Sequence, residues 1–338
     1  MRFPLGLTLA VSRYMMSQAV HRRRRYPTTL MLEPLYTCNL ACVGCSTERH
    51  TGKLSDRLTV AQCLEAVDQS GVPTMSLCGG EPLLYPELPE LIEGLVKRGK
   101  YIFLCTNALV MQKKLFDIIK PDPHLLVNVH LDGMKATHDF VCARDGVFDH
   151  AIEMIGECKK RGYQTMTNTT VYQETSMEEV VELCELLMGL DVDGMLISPG
   201  YQYSTVERDI FMKRDDIHAK FAEVLKLSGK YPLTATPAFL RFCAGQKELK
   251  CSPYSTVTRT PLGWKGPCYL IDDKFYPTYD EFWDSVDWDY WESRQDARCR
   301  NCYMHSGFEA SAVQAASSNP KELLELMAWN MTKPRRKA

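Results

Sequence analysis

Short apolar segments alternate with helix-like segments along most of this chain, and that alternation restricts its fold more than any other feature. Between residues 29 and 227, six apolar runs of strand length are each followed by a segment with helical periodicity. Because helical connections return successive strands in the same direction, this order predicts an α/β protein with a parallel sheet. The units can form an open sheet or a partial barrel, and in both the reactive groups lie at the carboxyl ends of the strands. The predicted strands are Thr29–Leu35, Thr74–Cys78, Tyr101–Cys105, Leu125–Leu131, Thr165–Val171 and Gly194–Ile197, and the predicted helices are Val60–Gln69, Glu87–Arg98, Met111–Ile119, Phe148–Lys160, Met177–Met188 and Asp216–Leu227.

The alternation stops near residue 230. Beyond it, prolines and aromatic residues become more frequent, and five of the 14 cysteines occur within sixty residues. Short strand and turn pieces are expected at 275–277 and at Phe282-Trp283. We therefore predict a basic amphipathic N-terminal segment at 1–27, the βα units at 28–230, a separate, small cysteine-containing C-terminal extension at 231–330 and a basic tail at 331–338.

The N-terminal segment raises the question of a membrane. Residues 5–20 are predicted to form a helix, and four arginines follow it at 22–25. An amphipathic helix beside such a cluster can lie on an anionic membrane, and the alternative is a helix packed on the domain. The arginines follow the apolar stretch, unlike those of a secretory signal, and no apolar run is long enough to span a bilayer. We expect a reducing, cytoplasmic setting with peripheral contact at the inner face of the membrane. The net charge of −2 argues against nucleic acid as a partner.

Three cysteines follow the first predicted strand. Cys38, Cys42 and Cys45 have the spacing Cys-x3-Cys-x2-Cys. Three thiolates in one loop can hold an iron–sulfur cluster or a zinc ion, but zinc usually takes four ligands. Three ligands on a 4Fe–4S cluster leave one iron open to bind and activate another molecule. Gly79-Gly80-Glu81-Pro82 follows the second predicted strand, about 35 residues downstream.

Together, these two motifs resemble the radical SAM superfamily. The resemblance implies a partial (βα)6 barrel that binds a 4Fe–4S cluster through the three cysteines and S-adenosylmethionine (SAM) at the open iron. It also implies that the glycine-rich segment contacts the SAM amine, with Glu81 complementing its charge. Side chains at the ends of other strands are then expected to contact SAM or the substrate, and Asp132 is the first choice. The candidate cofactor contacts are Gly79, Gly80, Glu81, Asn107, Asp132, Asn168 and Ser198.

Further segments resemble a radical SAM family of hopanoid lipid biosynthesis, and this resemblance covers nearly the whole chain. It implies an adenosyltransferase that adds the 5′-deoxyadenosyl radical to the alkene of hopene (diploptene) and consumes SAM as a substrate. The implied product is adenosylhopane, and the implied reductant is a one-electron donor of flavodoxin or ferredoxin type. The segments concerned are Leu30–Leu35, Cys105–Ala108, Val129–Gly133 and Ile197–Tyr201.

Such an addition leaves a carbon radical that must gain a hydrogen atom, and a thiol is a good donor because its S–H bond is weak. Cys105 is the predicted donor and Cys78 the runner-up, although both could be structural thiols. Aromatic and Met residues after the sixth strand are candidates for an apolar substrate pocket. One alternative is a radical SAM enzyme that abstracts hydrogen from another substrate such as a peptide. Another is a non-catalytic iron–sulfur or zinc protein. The candidate pocket residues are Tyr201, Tyr203, Phe211 and Met212.

A second group of cysteines lies near the C-terminus. Cys299 and Cys302 have metal-ligand spacing, and Cys268 precedes them by about thirty residues. Cys243 and Cys251 belong to the same region. These thiols are candidates for a second iron–sulfur cluster or a zinc ion, with reduced structural thiols as the alternative.

Overall fold

A single open sheet organises the molecule. The computed structural model describes residues 1–46, 48–206, 208–317 and 319–334, and within them nine strands follow the order β6-β5-β4-β3-β2-β1-β7-β8-β9. Strands β1 to β6 are parallel neighbours, β7 is parallel to β1, and β8 and β9 are antiparallel additions. The strands are β1 (Thr29–Leu32), β2 (Thr74–Leu77), β3 (Tyr101–Thr106), β4 (Leu125–His130), β5 (Gln164–Val171), β6 (Gly194–Pro199), β7 (Thr256–Thr260), β8 (Gly263–Cys268) and β9 (Ile271–Tyr276).

Helices connect the strands of the sheet. They are α1 (Leu5–Val20), α2 (Glu48–Thr51), α3 (Val60–Ser70), α4 (Leu88–Lys97), α5 (Lys135–Val141), α6 (Val147–Lys160), α7 (Met177–Gly189), α8 (Arg214–Leu227), α9 (Pro237–Cys243), α10 (Tyr279–Ser285), α11 (Trp288–Glu292), α12 (His305–Ser317) and α13 (Pro320–Met331).

The six predicted βα units are confirmed, because each predicted strand overlaps one of β1 to β6. Two local predictions were wrong. The segment predicted as a helix at 111–119 forms only a π-helical turn, Gln112–Phe116. Phe282 and Trp283 lie in helix α10, because the Thr278 side chain caps that helix by accepting a hydrogen bond from the Glu281 N–H at 3.2 Å.

The C-terminal region does not stand apart from the sheet, which corrects the prediction of a separate extension. Strand β7 pairs with β1 in parallel register, Thr29 opposite Thr256, so the region continues the sheet past its first strand. One hydrophobic cluster runs from Leu30 on β1 to Ala312 on α12 and includes Trp264 on β8. The two regions therefore share a core.

Helix α1 closes the amino-terminal end of the sheet. Its Leu7 packs on Tyr101, Leu126 and Met166, which lie near the amino ends of β3, β4 and β5. The predicted helix at 5–20 is thus present and packs on the domain through Leu7, while several of its other apolar residues stay exposed. No helix in the described part of the chain is long and apolar enough to cross a bilayer. Residues 335–338 of the predicted basic tail lie outside the described residues. The exposed apolar residues of α1 are Leu5, Leu9, Met16 and Val20.

Candidate functional site

The loop after β2 is held against the segment that leads into the first cysteines. The Gly80 N–H donates to the Leu35 carbonyl at 3.0 Å, and the Glu81 N–H donates to the Thr37 carbonyl at 2.9 Å. A Cβ on Gly80 would overlap the Thr37 carbonyl oxygen. Gly79 has a φ of 108°, and a Cβ there would stand 2.5 Å from the Leu35 carbonyl oxygen. Both glycines thus allow two backbones to meet, which fixes this loop beside Cys38.

The three cysteines lie together in a half-buried loop. Burial is the main cause that raises the pKa of Cys38 to about 12, and the charges of Cys42 and Cys45 contribute. A hydrogen bond with Cys142 and burial raise the pKa of Cys42. The backbone orders the loop, since the Cys45 N–H donates to the Cys42 carbonyl at 3.1 Å and the Val43 N–H to that of Val141 at 2.9 Å. The loop is thus built to present three neighbouring sulfur atoms.

Glu81 joins the ends of β2 and β3. Its carboxylate is 1% exposed and accepts hydrogen bonds from the Leu83 N–H at 3.0 Å, the Thr106 hydroxyl at 2.8 Å and the Asn107 N–H at 2.9 Å. Burial raises its pKa to about 7, against the effect of these hydrogen bonds. A direct contact between Glu81 and a SAM amine stays a prediction, and the structure gives the residue a positioning role.

Asn107 connects Glu81 and the ends of β2 and β3 to the cysteine loop. Its Nδ2 donates to Asn39 Oδ1 at 2.8 Å and lies 3.9 Å from Cys38 Sγ. Its Oδ1 accepts from the Leu109 N–H at 3.1 Å. Sequence reasoning selected Asn107 but missed Asn39, whose only signal is its position directly after Cys38.

A charged network lies on the other side of the site, at the ends of β4 and β5. The buried Asp132 carboxylate forms an ion pair with His130 Nε2 at 2.7 Å. It also accepts from the Thr170 N–H at 2.7 Å and the Tyr172 hydroxyl at 3.3 Å. Burial disfavours the charged form of His130. The Asp132 carboxylate stabilises that form more strongly, so the pKa of His130 rises to about 9. Burial likewise opposes the charge of Asp132, and His130 holds the pKa of that carboxyl below its usual value. Sequence reasoning missed Tyr172 and His138, whose Nδ1 accepts from the Asp132 N–H at 3.0 Å.

Cys105, the predicted hydrogen-atom donor, faces the interior of the site, between the hydrogen bonds of Glu81 and the network of Asp132. Alternation along β3 puts Cys105 on the same face as Tyr101, whose contact with Leu7 of α1 marks the inner surface. The Asn128 side chain on β4 donates to Cys105 Sγ at 3.6 Å. Leu77 on β2 pairs with Leu104 on β3. Cys78 and Cys105 are the next residues on the two strands, so the two candidate thiols are neighbours. The structure thus brings Cys105 and Cys78 into the site interior.

Asn168 and Ser198 lie on the same inner surface. Asn168 pairs with His130 across β4 and β5, and Ser198 pairs with Thr170 across β5 and β6. The buried Asn168 Oδ1 has no hydrogen-bond partner among the residues that the structure describes. A buried acceptor that lacks a partner is costly, so this atom suits a ligand that donates a hydrogen bond.

The sulfur atoms suit a cluster better than a single ion. Among the described residues, no three His, Cys, Asp or Glu side chains are grouped as ligands of one metal ion. Three thiolates leave one iron of a cubane cluster without a protein ligand, whereas a structural zinc ion takes four protein ligands. The three sulfur atoms and the unpaired Asn168 acceptor therefore fit a 4Fe–4S cluster with SAM beside it.

The structure separates Met212 from the other three residues of the predicted apolar pocket. Met212 belongs to the main hydrophobic core, so it is a packing residue. Phe211 packs edge-on against Tyr172 with a centroid distance of 5.7 Å, next to the Asp132 network. Tyr201 contacts Tyr203 at 5.5 Å and belongs to the cluster that includes the C-terminal cysteines. Tyr203 also packs against the cluster that contains Phe211, so Tyr201, Tyr203 and Phe211 are continuous and only Met212 is separate.

Comparisons with known proteins agree with this site. Residues 32–187 match the Radical SAM superfamily, and residues 195–326 match a domain of unknown function, DUF3463. The two matches place the boundary between residues 187 and 195, earlier in the chain than the predicted boundary at 230.

The relatives process different substrates. An AdoMet-dependent heme synthase of Methanosarcina barkeri is 27% identical over 72% of this chain and 74% of its own length. A pre-heme d1 synthase of Dinoroseobacter shibae is 29% identical over 44% of this chain, a match that spans only 38% of that protein. Streptococcus suis SuiB, solved bound to the precursor peptide SuiA, shares the fold with a TM-score of 0.64 and 14% identity, over 97% of this chain and 79% of SuiB. Residues 32–187 thus match the radical SAM superfamily, and this match implies a 4Fe–4S cluster and SAM as the cofactors.

Proposed function

We propose that this enzyme adds the 5′-deoxyadenosyl group of SAM to the alkene of hopene and so makes adenosylhopane. The observation that carries the proposal is the inward-facing thiol of Cys105, since an addition, unlike a hydrogen abstraction, needs a hydrogen-atom donor to finish. The resemblance to the hopanoid-biosynthesis family names the alkene. When bound on Cys38, Cys42 and Cys45, the cluster supplies the electron that cleaves SAM.

The residues of the chain have separate tasks in this proposal. Glu81 and Asn107 hold the cysteine loop and the β2 and β3 ends in place. Asn168 and Ser198 offer polar contacts to SAM, and His130, held charged by Asp132, suits a carboxylate. Cys105 donates a hydrogen atom to the tertiary carbon radical of the adduct. The resulting thiyl radical then takes up one electron, from a donor of flavodoxin or ferredoxin type, and one proton.

The test is an anaerobic assay with SAM, reductant and hopene, analysed by mass spectrometry. The wild type is expected to give the saturated adenosine-linked product. Cys105→Ser keeps the shape of the side chain but replaces the weak S–H bond by a strong O–H bond, so SAM cleavage continues and unreduced adducts accumulate. Cys78→Ser is the matched control and is expected to give the saturated product. An unchanged yield with Cys105→Ser would rule out Cys105 as the donor.

A second candidate function is hydrogen abstraction from a peptide or a heme precursor. The relatives described above favour this candidate over the first, because two are named for heme or pre-heme synthesis and SuiB was solved with a precursor peptide. The same assay separates the two candidates. Addition joins adenosine to the substrate, whereas abstraction releases free 5′-deoxyadenosine with each modified substrate.

Peripheral contact with a membrane also remains our proposal. Leu5, Leu9 and Met16 are exposed on α1, and exposed arginines at 22–24 follow the helix in the sequence. This surface lies at the end of the sheet opposite the site, so contact there would anchor the enzyme without covering the site. Flotation with anionic vesicles should be lost in a variant with these three residues changed to Ser. Deletion of the segment is less suitable, because Leu7 is buried. Equal flotation of variant and wild type would exclude this anchor.

A further inference from the structure

A fourth thiol, that of Cys142, lies beside the cysteine loop. Cys142 directly follows helix α5 and is 1% exposed. The Val43 N–H donates to the Val141 carbonyl at 2.9 Å, so Cys42 and Cys142 are the chain neighbours of two residues that share a backbone hydrogen bond. Cys38 and Cys42 pack against the small apolar cluster that contains Cys142. The side chains of Cys42 and Cys142 are also hydrogen-bonded to each other.

His138 holds this thiol from its other side. Its Nε2 lies 3.5 Å from Cys142 Sγ, and its Nδ1 accepts a hydrogen bond from the Asp132 N–H at 3.0 Å. A backbone N–H can only donate, so Nδ1 carries no proton and the neutral ring has its one N–H at Nε2. Burial lowers the pKa of His138 to about 4, which keeps the ring neutral at pH 7. The Nε2–H therefore donates to Cys142 Sγ.

The direction of the hydrogen bond between the two thiols follows from the state of Cys42. Cysteine binds iron as a thiolate, so a cluster-bound Cys42 has no proton to donate. Cys142 keeps its S–H and becomes the donor of the pair. The hydrogen bonds then run in one direction, from the Asp132 N–H through His138 and Cys142 to Cys42 Sγ, and each donor strengthens the next.

We propose that Cys142 is a positioning residue, whose S–H donates a hydrogen bond to the Cys42 thiolate and makes the cluster easier to reduce. Reduction increases the negative charge on the sulfur ligands, so a donor at Cys42 stabilises the reduced form more than the oxidised form. A buried thiol that serves only to pack would have no such effect. The inference goes beyond the proposed function and does not depend on the identity of the substrate.

The test is a redox titration of the full chain, reconstituted anaerobically with iron and sulfide and followed by electron paramagnetic resonance. The signal to follow is the one that is absent from the Cys38→Ala/Cys42→Ala/Cys45→Ala variant. In Cys142→Ala, the ratio of reduced to oxidised cluster at a fixed potential should fall about threefold to tenfold, which is the effect of one hydrogen bond on an equilibrium constant. A tenfold fall corresponds to a shift of about 59 mV toward lower potential.

Three further variants separate the hydrogen bond from packing. Cys142→Ser keeps a donor at the same place, so its ratio should stay within about threefold of the wild type or rise. His138→Asn keeps an oxygen for the Asp132 N–H but has no group in place of Nε2, so it should shift the potential in the same direction as Cys142→Ala and by less. Cys184→Ala is the matched control, because Cys184 is also 1% exposed but lies on α7 in the main core. It should leave the titration unchanged.

Two results would overturn the proposal. One is an unchanged potential in Cys142→Ala, and the other is a shift in Cys142→Ser or Cys184→Ala as large as that in Cys142→Ala. Circular dichroism and iron content verify that each variant is folded and loaded. If Cys142→Ala does not bind the cluster, His138→Asn decides, and a wild-type potential in that variant refutes the proposal. The titration contains no substrate, so a failure to make adenosylhopane would leave it unchanged and the two proposals fail separately.

Discussion

Replacing Asp132 with Asn removes the charge from the centre of the network at the ends of β4 and β5. The Asp132 carboxylate is fully buried and lies 2.7 Å from His130 Nε2. In the Asp132→Asn variant, the amide keeps a carbonyl oxygen for the Thr170 N–H, but no negative charge faces His130. The change therefore isolates the ion pair from the hydrogen bonds around it.

The expected loss follows from burial. Breaking a buried ion pair by removal of one partner costs about 3–5 kcal/mol of unfolding free energy, because the other charge is left without compensation. The His130 side chain is 29% exposed, so water recovers part of this loss. The rise in the pKa of His130 from 6.5 to about 9 corresponds to about 3 kcal/mol, which agrees with the lower end of that range. We therefore expect a loss of about 3 kcal/mol at pH 6.

The pH dependence supplies a second check. Because the folded pKa of His130 is raised, its contribution is fully present below pH 6.5 and is lost as the pH rises through about 9. The folded pKa of Asp132 is lowered, so its contribution is present above its ordinary pKa and is lost as the pH falls. The difference between wild type and variant should thus be large at pH 6 and small at pH 10.

Urea denaturation followed by tryptophan fluorescence measures both quantities. Glu185→Gln is the matched control, because Glu185 pairs with Lys230 at 3.1 Å with both side chains about 60% exposed, and such a pair contributes about 0–1 kcal/mol. A loss in Asp132→Asn no larger than that of the control at pH 6 would refute the argument, and so would a difference that does not shrink by pH 10.

Three further outcomes are expected. Gly80→Ala should destabilise the protein by about 1–3 kcal/mol and lower its iron content, because the new methyl group overlaps the Thr37 carbonyl. Gly156→Ala lies in an open helical position and should stabilise the protein by about 0.5–1 kcal/mol. Urea denaturation and iron analysis measure both variants. The raised pKa of Glu81, about 7, means that wild-type stability declines as the pH rises from 4.5 through 7, and Glu81→Gln should flatten that part of the stability curve. Arg2→Ala should lower the unfolding free energy by about 2–4 kcal/mol, because the buried guanidinium donates hydrogen bonds to four backbone carbonyls, and a thermal shift below about 2 °C would contradict this.

The βα part of the fold could be predicted because its signals are local. Strand length, helical periodicity and spacing all occur within one unit, and the bounds agree to within a few residues. The pairing of β7 with β1 could not be predicted, since it joins Thr256 to Thr29 across the whole barrel region. The short β-branched run 256–260 indicates a strand, but nothing local indicates its neighbour. The C-terminal region was therefore wrongly predicted to stand apart.

The site divides in the same way. Cys38, Cys42, Cys45 and the glycine-rich segment were found because their spacing is itself the signal. Tyr172 and His138 were missed because each is recognisable only by what the fold brings beside it. Glu81 shows the intermediate case, in which the residue was found but its contacts, to Thr106 and the Asn107 N–H, could not be read from spacing.

The inner face of the sheet indicates which residues determine substrate specificity. At the amino ends of the strands, Leu7 of α1 packs on Tyr101, so we expect a substrate to enter from the carboxyl ends. Phe103 follows Tyr101 on the same face of β3, and Cys105 comes next, closer to the opening. We therefore expect a substrate carbon that reaches the thiol to pass the charged His130 and to rest near the Phe103 ring. A compact apolar group satisfies both conditions once its polar cofactor partner occupies the rim. A peptide backbone would leave its own amides unpaired at Phe103. A Phe103→Asn variant should therefore turn over a triterpene more slowly and a peptide faster than the wild type does.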